Sequence, residues 1–353
     1  MRLALQQAYK SLGNTKENPA VGCVIVKDDH IIGSASTGIN GRPHAEFRAV
    51  NSCKENLKNS ELYVTLEPCS HYGKTPPCVK TIIRKKIKRV FFSIKDPDLR
   101  SFDKSTKLLK KNKIDVKSGI LKSYTKKFYK SYLKSKKEIF PFVTAKMAIS
   151  KDFYTSNKRK KWITNNFSRG RVHLMRSTHD CILTSVNTII SDNSKLTCRI
   201  NGLENTSPTR IILDKNLKIP IKSYIVRTAS RYNTIIFFNK INKKKLNFLK
   251  KLKIKLISTP LNEDGNFNLE SVLIKVKLLG FSRIFLESGL NMTANFLDRG
   301  LVDVFQLFIS SKKLNLDGFN SFESIMKIFL KKNKTTNEKV NLFGDKLISY
   351  RVK

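Results

Sequence analysis

The sequence contains few cysteines, few acidic residues and no long apolar run, and each shortage excludes a class of protein. Six cysteines among 353 residues are too few for a disulfide scaffold. No uninterrupted apolar stretch approaches the ~18 residues that a membrane-spanning helix needs. The first ten residues, MRLALQQAYK, are too polar for the apolar part of a secretory signal peptide. We therefore expect a soluble, cytoplasmic protein with no membrane partner.

Acidic residues are scarce, because 27 Asp and Glu stand against 69 Lys and Arg, which gives a formal net charge of +42. An excess of positive charge favours anionic ligands, among them phosphate esters and nucleic acids. Lysine, asparagine and isoleucine nevertheless recur along the whole chain, as in LKKLKIK at residues 249–255. We therefore attribute the charge mainly to a general drift in composition together with anionic small molecules, and nucleic acid is the less favoured partner.

Apolar residues make up 40% of the chain, which is enough to build packed cores, and the length suits two domains. Short apolar strands alternate with helix-like stretches, and the pattern restarts after a lysine-rich run that ends in Phe-Pro-Phe at residues 140–142. We predict two α/β domains, residues 1–140 and 141–353.

In the first domain, predicted strands cover residues 21–27, 31–36, 61–66, 89–94 and 114–118, and predicted helices cover 45–53, 77–85 and 124–137. In the second domain, predicted strands cover residues 143–148, 180–184, 210–214, 234–238, 254–258, 283–287, 304–309 and 347–352. Predicted helices there cover residues 168–177, 243–250, 269–278 and 292–298.

The strongest chemical signal is the series Pro-His-Ala-Glu, Glu-Pro-Cys and Pro-Pro-Cys in the first domain. His44, Cys69 and Cys78 form a three-ligand set that leaves the fourth tetrahedral position of one Zn²⁺ per chain open for water, as in catalytic zinc sites. Zinc lowers the pKa of such a water toward ~7. Glu46, two residues from His44, can move protons without binding the metal. This pattern predicts a zinc deaminase.

The other cysteines and histidines outside this series have no partners in the pattern. We expect them to be structural residues, and they are Cys23, Cys53, Cys181, Cys198, His30, His173 and His179.

Three segments give this domain a resemblance to a known family: NPAVGCVIV at residues 18–26, the PHAE tetrad, and TLEPCSHYGKTPPC at residues 65–78. They resemble the deaminase half of the bifunctional riboflavin-biosynthesis deaminase–reductases. Eight residues separate the two cysteines, whereas cytidine and tRNA-adenosine deaminases typically have two there. The resemblance implies a cytidine-deaminase-like domain whose substrate carries a diaminopyrimidinone on ribose 5-phosphate.

The resemblance also gives roles to three polar residues of these segments. Asn18 is expected to bind the pyrimidine, while His71 and Lys74 are expected to bind the phosphate of the substrate. The chemistry agrees, because an amide can hydrogen-bond a pyrimidine and cationic or polar donors suit a phosphate.

The second domain carries three blocks that, taken in order, resemble the reductase half of the same family. They are KMAISKD at residues 146–152 with WIT at 162–164, the segment 176–199, and IFLESGL at 284–290. The resemblance implies a dihydrofolate-reductase-like domain that uses NADPH to reduce the ribosyl group to ribityl. The last block is typical of a strand, a glycine turn and a helix N-terminus, a geometry that presents free N–H groups to a phosphate.

On this resemblance the cofactor-binding residues are Ala148, Trp162, Thr188, Asp192, Lys215 and the stretch that starts at Gly289. The substrate-binding residues are Lys160, Arg176, Leu196, Arg199 and Glu287. Lys146 is the candidate catalytic residue that assists the opened ribose. Arginine is a suitable donor to a phosphate ester, and the cofactor supplies the hydride.

The chain departs from the family pattern at several places in the reductase half. Ser-Lys-Asp-Phe at residues 150–153 replaces Ser-Leu-Asp-Gly, so a turn that relies on glycine is lost or rebuilt. Lys160 stands where a serine is expected, and Asp-Asn-Ser at residues 192–194 replaces Asp-Asp-Pro. The sequence leaves open whether the chain forms a homo-oligomer and whether the domains channel a substrate.

Two alternatives come from other functional classes. A zinc deaminase of nucleic acid would use the basic surface, with the second domain as a binding platform, but it would need neither the long segment between the cysteines nor the block at residues 162–199. A non-catalytic zinc protein would have no use for Glu46. We expect instead a bifunctional enzyme of riboflavin biosynthesis that performs a hydrolytic deamination and then a reduction.

Overall fold

Apolar strands and amphipathic helices alternate along the chain in a computed structural model that describes residues 1–159, 162–322 and 335–352. These elements separate into two units, Met1–Ile139 and Phe140–Lys353. Both units are α/β, which is the expected fold class. In the described part of the chain, none of the helices combines the length and hydropathy that a membrane crossing requires.

Unit 1 is built on a five-stranded sheet with the strand order β2-β1-β3-β4-β5. Its strands are β1 (Gly22–Lys27), β2 (His30–Ser36), β3 (Glu61–Leu66), β4 (Arg89–Ile94) and β5 (Asp115–Ser118). Its helices are α1 (Arg2–Ser11), α2 (Ala45–Ser52), α3 (Cys78–Arg84), α4 (Lys104–Lys111), α5 (Lys122–Phe128) and α6 (Lys130–Lys137). Strand β1 is antiparallel to β2 and β3, whereas β3, β4 and β5 are parallel.

Helix α1, which the sequence analysis does not predict, packs directly on the sheet of unit 1. A Cβ atom at Gly22 would lie 1.8 Å from the carbonyl oxygen of Ala4, so only glycine allows β1 and α1 to approach so closely. Ala4 and Ala8 are fully buried on the inner face of the helix. The helix escapes sequence analysis because its apolar face consists mainly of small residues.

The helix predicted over residues 124–137 is two helices in the structure, α5 and α6, which meet at Tyr129. The Tyr129 side chain is buried, and its hydroxyl lies 3.0 Å from the carbonyl oxygen of Ala20 and 2.7 Å from Oγ1 of Thr65. A buried tyrosine needs a partner for its hydroxyl. The Tyr129 hydroxyl therefore connects the junction of α5 and α6 to strand β3 and to the residues before β1.

Unit 2 contains, among its described residues, a nine-stranded sheet with the order β11-β10-β9-β8-β12-β6-β13-β16-β15 and a two-stranded sheet β14-β7. The strands are β6 (Phe142–Ile149), β7 (Tyr154–Asn157), β8 (Cys181–Ser185), β9 (Thr209–Leu213), β10 (Thr234–Phe238), β11 (Lys255–Ser258), β12 (Arg283–Leu286), β13 (Val304–Ile309), β14 (Gly318–Ser321), β15 (Thr335–Asn337) and β16 (Lys346–Arg351). The helices are α7 (Asn166–Ser177), α8 (Val186–Asp192), α9 (Tyr224–Arg227), α10 (Lys243–Lys251), α11 (Leu269–Leu278) and α12 (Leu290–Asp298).

The large sheet of unit 2 is parallel from β11 to β13, and β16 and β15 continue it antiparallel. Buried side chains on its two faces form separate hydrophobic clusters, which is why these strands are almost continuously apolar. Every strand and helix predicted for this unit is present, although α12 begins at Leu290 rather than at residue 292. The elements that sequence analysis misses, α8, α9, β7, β14 and β15, have seven residues or fewer.

Arg210 is a charged residue that lies fully buried in strand β9. Its guanidinium donates hydrogen bonds to Oγ1 of Thr234 and Thr228 and to the carbonyl oxygens of Ile225, Thr228 and Tyr232. Burial lowers the pKa of Arg210 to about 10. The arginine thus satisfies three carbonyl groups of the α9 region, and those groups would otherwise be buried without partners.

We expect Arg210→Met to lower the free energy of unfolding of unit 2 by about 3 kcal/mol, because it leaves several buried acceptors without a donor. Arg231→Met is the matched control, since Arg231 is exposed and only stacks over Tyr232, 5.3 Å from the ring centroid. Urea unfolding can be followed by the fluorescence of Trp162, the single tryptophan of the sequence. Equal midpoints for the two variants would contradict the role given to Arg210.

Candidate active sites in the two units

One histidine and two cysteines come together in unit 1 at the end of strand β3. His44 is the residue before α2, Cys69 follows β3, and Cys78 is the first residue of α3. Nδ1 of His44 lies 3.3 Å from Sγ of Cys78 and 3.5 Å from Sγ of Cys69. Zinc bonds of about 2.0 Å to nitrogen and about 2.3 Å to sulfur, at tetrahedral angles, place such atoms about 3.5 Å apart. The three side chains therefore fit a zinc ion.

The protonation state of the Cys69 thiol also suits a metal. The backbone N–H of Cys78 donates to Sγ of Cys69 across 3.3 Å. The Cys78 thiol donates to the same sulfur and lowers the pKa of Cys69 to about 4; burial opposes this shift, and His44 adds to it. A thiolate next to an imidazole is the state in which cysteine binds zinc.

Glu46 stands in the first turn of α2 and is almost completely buried. Burial raises its pKa to about 7, and the neighbouring His44 reduces the size of that shift. A carboxyl group with a pKa near neutral can both accept and donate a proton at pH 7. Glu46 is not a member of the ligand cluster, which consists of His44, Cys69 and Cys78.

The three residues expected to bind the substrate in unit 1 lie in two segments. Asn18 packs against Gly41, where a Cβ atom would lie 2.3 Å from Nδ2 of Asn18, so the glycine leaves room for the amide. Its side chain forms no hydrogen bond with the described residues. His71 and Lys74 lie in the segment between the two cysteines, with Nδ1 of His71 2.9 Å from Oγ of Ser101. Lys74 is exposed to solvent.

Unit 2 contains a cavity of ≈ 1400 Å³. The expected residues that line it are Lys146, Ala148, Trp162, Arg176, Thr188, Asp192, Leu196, Arg199, Lys215, Glu287 and Gly289. The structure thus brings together eleven residues that the sequence spreads over more than 140 positions. The other expected residue, Lys160, lies outside the described part of the chain.

A buried cluster of charges forms part of the cavity wall. Arg176 donates from Nε to Oε2 of Glu287 across 2.9 Å and from Nη2 to Oε1 across 2.8 Å. Nζ of Lys146 lies 3.8 Å from the same Oε1. Burial alone would raise the pKa of Glu287, but Arg176 and Lys146 outweigh it and bring that pKa to about 2. Burial also lowers the pKa of Lys146.

The ion pair with Glu287 makes Arg176 less suited to phosphate binding than the sequence suggests. Nη1 of Arg176 donates to the carbonyl oxygen of Thr197 across 3.0 Å, so all three guanidinium nitrogens face protein groups. Arg199 is less constrained, because its guanidinium has one hydrogen bond to the residues that the structure describes, from Nη1 to Oγ1 of Thr197 across 3.3 Å. Of the two arginines, Arg199 is the one free to meet an anionic substrate.

His173 lines the cavity as well, although sequence analysis gives it no role. It stands three residues before Arg176 on α7, so both side chains lie on the same helix face. Its Nδ1 accepts a hydrogen bond from the backbone N–H of Arg199 across 3.1 Å, and burial lowers its pKa to about 4. The helical spacing from Arg176 is the signal that could have identified His173.

Gly289 precedes helix α12 at the edge of the cavity. Its φ of −66° is accessible to any residue, and a Cβ atom there would meet nothing within 4 Å. The glycine is therefore not required by the backbone, but it keeps the space in front of the helix N-terminus open. That geometry suits the phosphates of a dinucleotide.

Two of the departures from the family pattern lie in the left-handed region of backbone conformation. Phe153 has a φ of +66°, in the left-handed region that glycine favours, so the turn is retained with a phenylalanine. Asn193 has a φ of +45°, and its Oδ1 accepts a hydrogen bond from the backbone N–H of Tyr224 across 2.8 Å. Asparagine tolerates this region better than most residues.

Comparisons with known proteins match the two units to two different families. The family described as the cytidine and deoxycytidylate deaminase zinc-binding region matches residues 1–94, and the RibD C-terminal domain family matches residues 141–314. The riboflavin biosynthesis protein RibD of Aquifex aeolicus is 34% identical over 97% of this chain and 96% of its own length. The RibD of Bacillus amyloliquefaciens is 32% identical over 88% of this chain and 83% of its own length.

The chain belongs to the RibD family. Solved RibD structures are similar throughout. That of Acinetobacter baumannii RibD has a TM-score of 0.85 at 27% identity, and the Thermotoga maritima deaminase/reductase has 0.84 at 29%; each comparison covers 99% of this chain and 97% of the other. This RibD-family chain is therefore a zinc-dependent deaminase and a reductase of riboflavin biosynthesis, and a nucleic-acid deaminase is not favoured.

We expect Cys69→Ser to reduce the zinc content of the purified protein from about one ion per chain to a small fraction of that value, because a three-ligand site does not tolerate the loss of a thiolate. Cys53→Ser is the control, since the Cys53 thiol donates to the carbonyl oxygen of Ala49 and is not a member of the ligand cluster. Elemental analysis measures both variants. Full zinc in Cys69→Ser would contradict the ligand assignment.

The Glu287 cluster predicts a dependence of stability on pH. The pKa of Glu287 is about 2 in the folded protein and about 4.3 in an unfolded chain. Ionised Glu287 therefore stabilises unit 2 above pH ~4.3, and this contribution, about 3 kcal/mol, is lost as the pH falls from ~4.3 toward 2. Glu287→Gln should remove this part of the acid destabilisation.

Urea midpoints at pH 5, 4 and 3, read by Trp162 fluorescence, test the Glu287 prediction. Glu270→Gln is the control, because Glu270 pairs with Arg299 across 3.5 Å at a partly exposed position and should keep the wild-type pH slope. Parallel curves for the wild type and Glu287→Gln would show that the cluster does not hold the carboxyl group ionised.

Proposed function

We propose that unit 1 removes the amino group of a diaminopyrimidinone ribose 5-phosphate and that unit 2 then reduces its ribosyl group to ribityl with NADPH. In this proposal residues 1–140 form the deaminase domain and residues 141–353 the reductase domain. The observation that carries the first step is the cluster of His44, Cys69 and Cys78 next to the buried carboxyl group of Glu46. The cavity lined by the predicted residues supports the second step.

In the deaminase, His44, Cys69 and Cys78 would hold zinc, which when bound supplies a Lewis acid that makes water a nucleophile at neutral pH. Glu46 accepts a proton from the attacking water and returns it to the departing amine, so water replaces the amino group and ammonia leaves. The pKa of Glu46, about 7, supports both transfers. The unoccupied amide of Asn18 is available to hydrogen-bond the pyrimidine.

The substrate phosphate is assigned to the segment between the two cysteines. Exposed Lys74 offers a positive charge, and His71 offers an imidazole held by Ser101. Both are suitable donors to a phosphate ester. The same segment distinguishes this deaminase from those with only two residues between the cysteines.

In the reductase, a nicotinamide cofactor in the cavity would supply hydride to C1 of the ring-opened ribosyl group. Lys146 donates a proton to the nitrogen attached to C1, which takes up the electron pair of the C1–N double bond as the hydride adds to C1, and its lowered pKa makes it a better proton donor than an ordinary lysine. Glu287 holds Lys146 and Arg176 in place through the buried ion pairs. Arg199 and Leu196 line the space assigned to the substrate.

The preference for NADPH is supported by the charge of the cavity wall. Lys195, Lys215 and Lys218 all line the cavity, and Nζ of Lys215 is held 2.7 Å from the carbonyl oxygen of Gly265. Cationic side chains favour the 2′-phosphate that distinguishes NADPH from NADH. All six cysteines are free thiols, which suits the reducing cytoplasm in which we place both reactions.

The proposal is tested by anaerobic incubation of the zinc-loaded protein with the diaminopyrimidinone ribotide and either NADPH or NADH. Ammonia and nicotinamide absorbance are followed separately. We expect ammonia release without any cofactor and faster oxidation of NADPH than of NADH. Ammonia without cofactor oxidation would overturn the reductase step, and activity on RNA alone would overturn the substrate class.

Glu46→Gln should lower the rate of ammonia release by at least 10²-fold, because glutamine cannot carry the proton. Zinc content should stay at the wild-type value, and reduction of the already deaminated substrate should be unaffected. Glu55→Gln, at an exposed position beyond the end of α2, is the control. A Glu46→Gln protein with a near wild-type rate would remove Glu46 from the mechanism.

A further inference from the structure

Arg42 places a guanidinium at the edge of the zinc-ligand cluster without an acidic partner. Its Nη1 lies 3.2 Å from Nε2 of His44 and 2.5 Å from Oγ1 of Thr75. Within the described ranges, it forms no ion pair with a carboxylate. The residue is half-buried, so part of its charge is removed from water without compensation.

His44 cannot remain a hydrogen-bond partner of Arg42 once His44 binds a metal. His44 turns Nδ1 toward the two thiols, and a neutral imidazole that binds a metal through Nδ1 carries its hydrogen on Nε2. Arginine has only donors. Two donors facing each other form no hydrogen bond, so in the zinc-loaded protein the guanidinium is available to an anion.

Arg42 also borders the segment to which we assign the substrate phosphate. Thr75 accepts a hydrogen bond from its Nη1, and a Cβ atom at Gly73 would lie 3.2 Å from Nη2. Lys74 stands between these two contacts, is exposed, and forms no hydrogen bond or ion pair with any residue that the structure describes. Arg42 and Lys74 are therefore two cations at the same short segment, residues 73–75, and neither pairs with a carboxylate of the described residues.

We propose that Arg42 binds the phosphate of the pyrimidine ribotide together with Lys74 and makes the deaminase prefer phosphorylated substrates. The inference rests on the proposed deaminase function and adds a residue that selects the substrate. Arginine offers a planar pair of donors that fits two phosphate oxygens. Thr75 fixes one guanidinium nitrogen, Nη1, and Nη2 lies beside Gly73 in the same segment.

The test compares ammonia release from the ribotide and from its dephosphorylated riboside in Arg42→Gln. We expect KM for the ribotide to rise about tenfold or more, kcat to stay within about threefold, and the riboside kinetics to be unchanged. Competitive inhibition of deamination by inorganic phosphate should weaken by a similar factor. Arg42→Lys should restore part of the preference. Zinc content and the absorption spectrum of the cobalt-substituted protein should match the wild type.

Two control variants separate phosphate binding from a structural role. Arg48→Gln removes an exposed arginine of α2 that donates to the carbonyl oxygen of Ser36, and it should leave the preference intact. Thr75→Val removes the hydrogen bond to Nη1 but keeps the cation, so it should lose clearly less of the preference than Arg42→Gln. Equal losses on both substrates, loss of zinc, or a Thr75→Val variant that reproduces Arg42→Gln would each overturn the assignment. A wild-type protein that releases no ammonia from the ribotide would instead overturn the proposed function beneath it.

Discussion

Parallel strands that end at a common sheet edge are the constraint on which both candidate sites depend. In unit 1, strands β3 and β4 are parallel, and Cys69 follows β3 at the edge where the zinc-ligand cluster forms. In unit 2, Glu287 directly follows β12, and Lys146 and Ala148 lie near the end of the parallel neighbour β6. Because the carboxyl ends of parallel strands share one edge, residues far apart in sequence meet there.

Neighbouring cations give two equally buried carboxyl groups opposite properties. Glu46 is buried and forms no ion pair with a Lys or Arg of the described ranges, so its pKa rises to about 7 and the group is suited to proton transfer. Glu287 is buried between Arg176 and Lys146, so its pKa falls to about 2 and the group remains a fixed negative charge. One residue type therefore has a pKa near neutral in one unit and is a structural counter-ion in the other.

Local patterns explain which parts of the architecture could be foreseen. Strands such as β10 were predictable because burial on both faces makes them continuous apolar runs. Helices with a clear polar face were predictable because burial of one face imposes a period on the sequence. Helix α1 was not, since alanines form its inner face, and neither was the bend at Tyr129, which depends on partners more than 60 positions away. The role of Arg176 as the partner of Glu287 likewise depends on a contact across 111 positions.

The sequence by itself determined the chemistry of the zinc ligands, the order of the two units and the family, because residue types and their spacing carry that information. Only the tertiary structure decided which charges are paired, that His173 faces the cavity, that Phe153 keeps a left-handed turn, and that Arg42 lies beside the segment between the cysteines. These are properties of distance and burial, and they arise from strands and loops that meet only when the chain has folded.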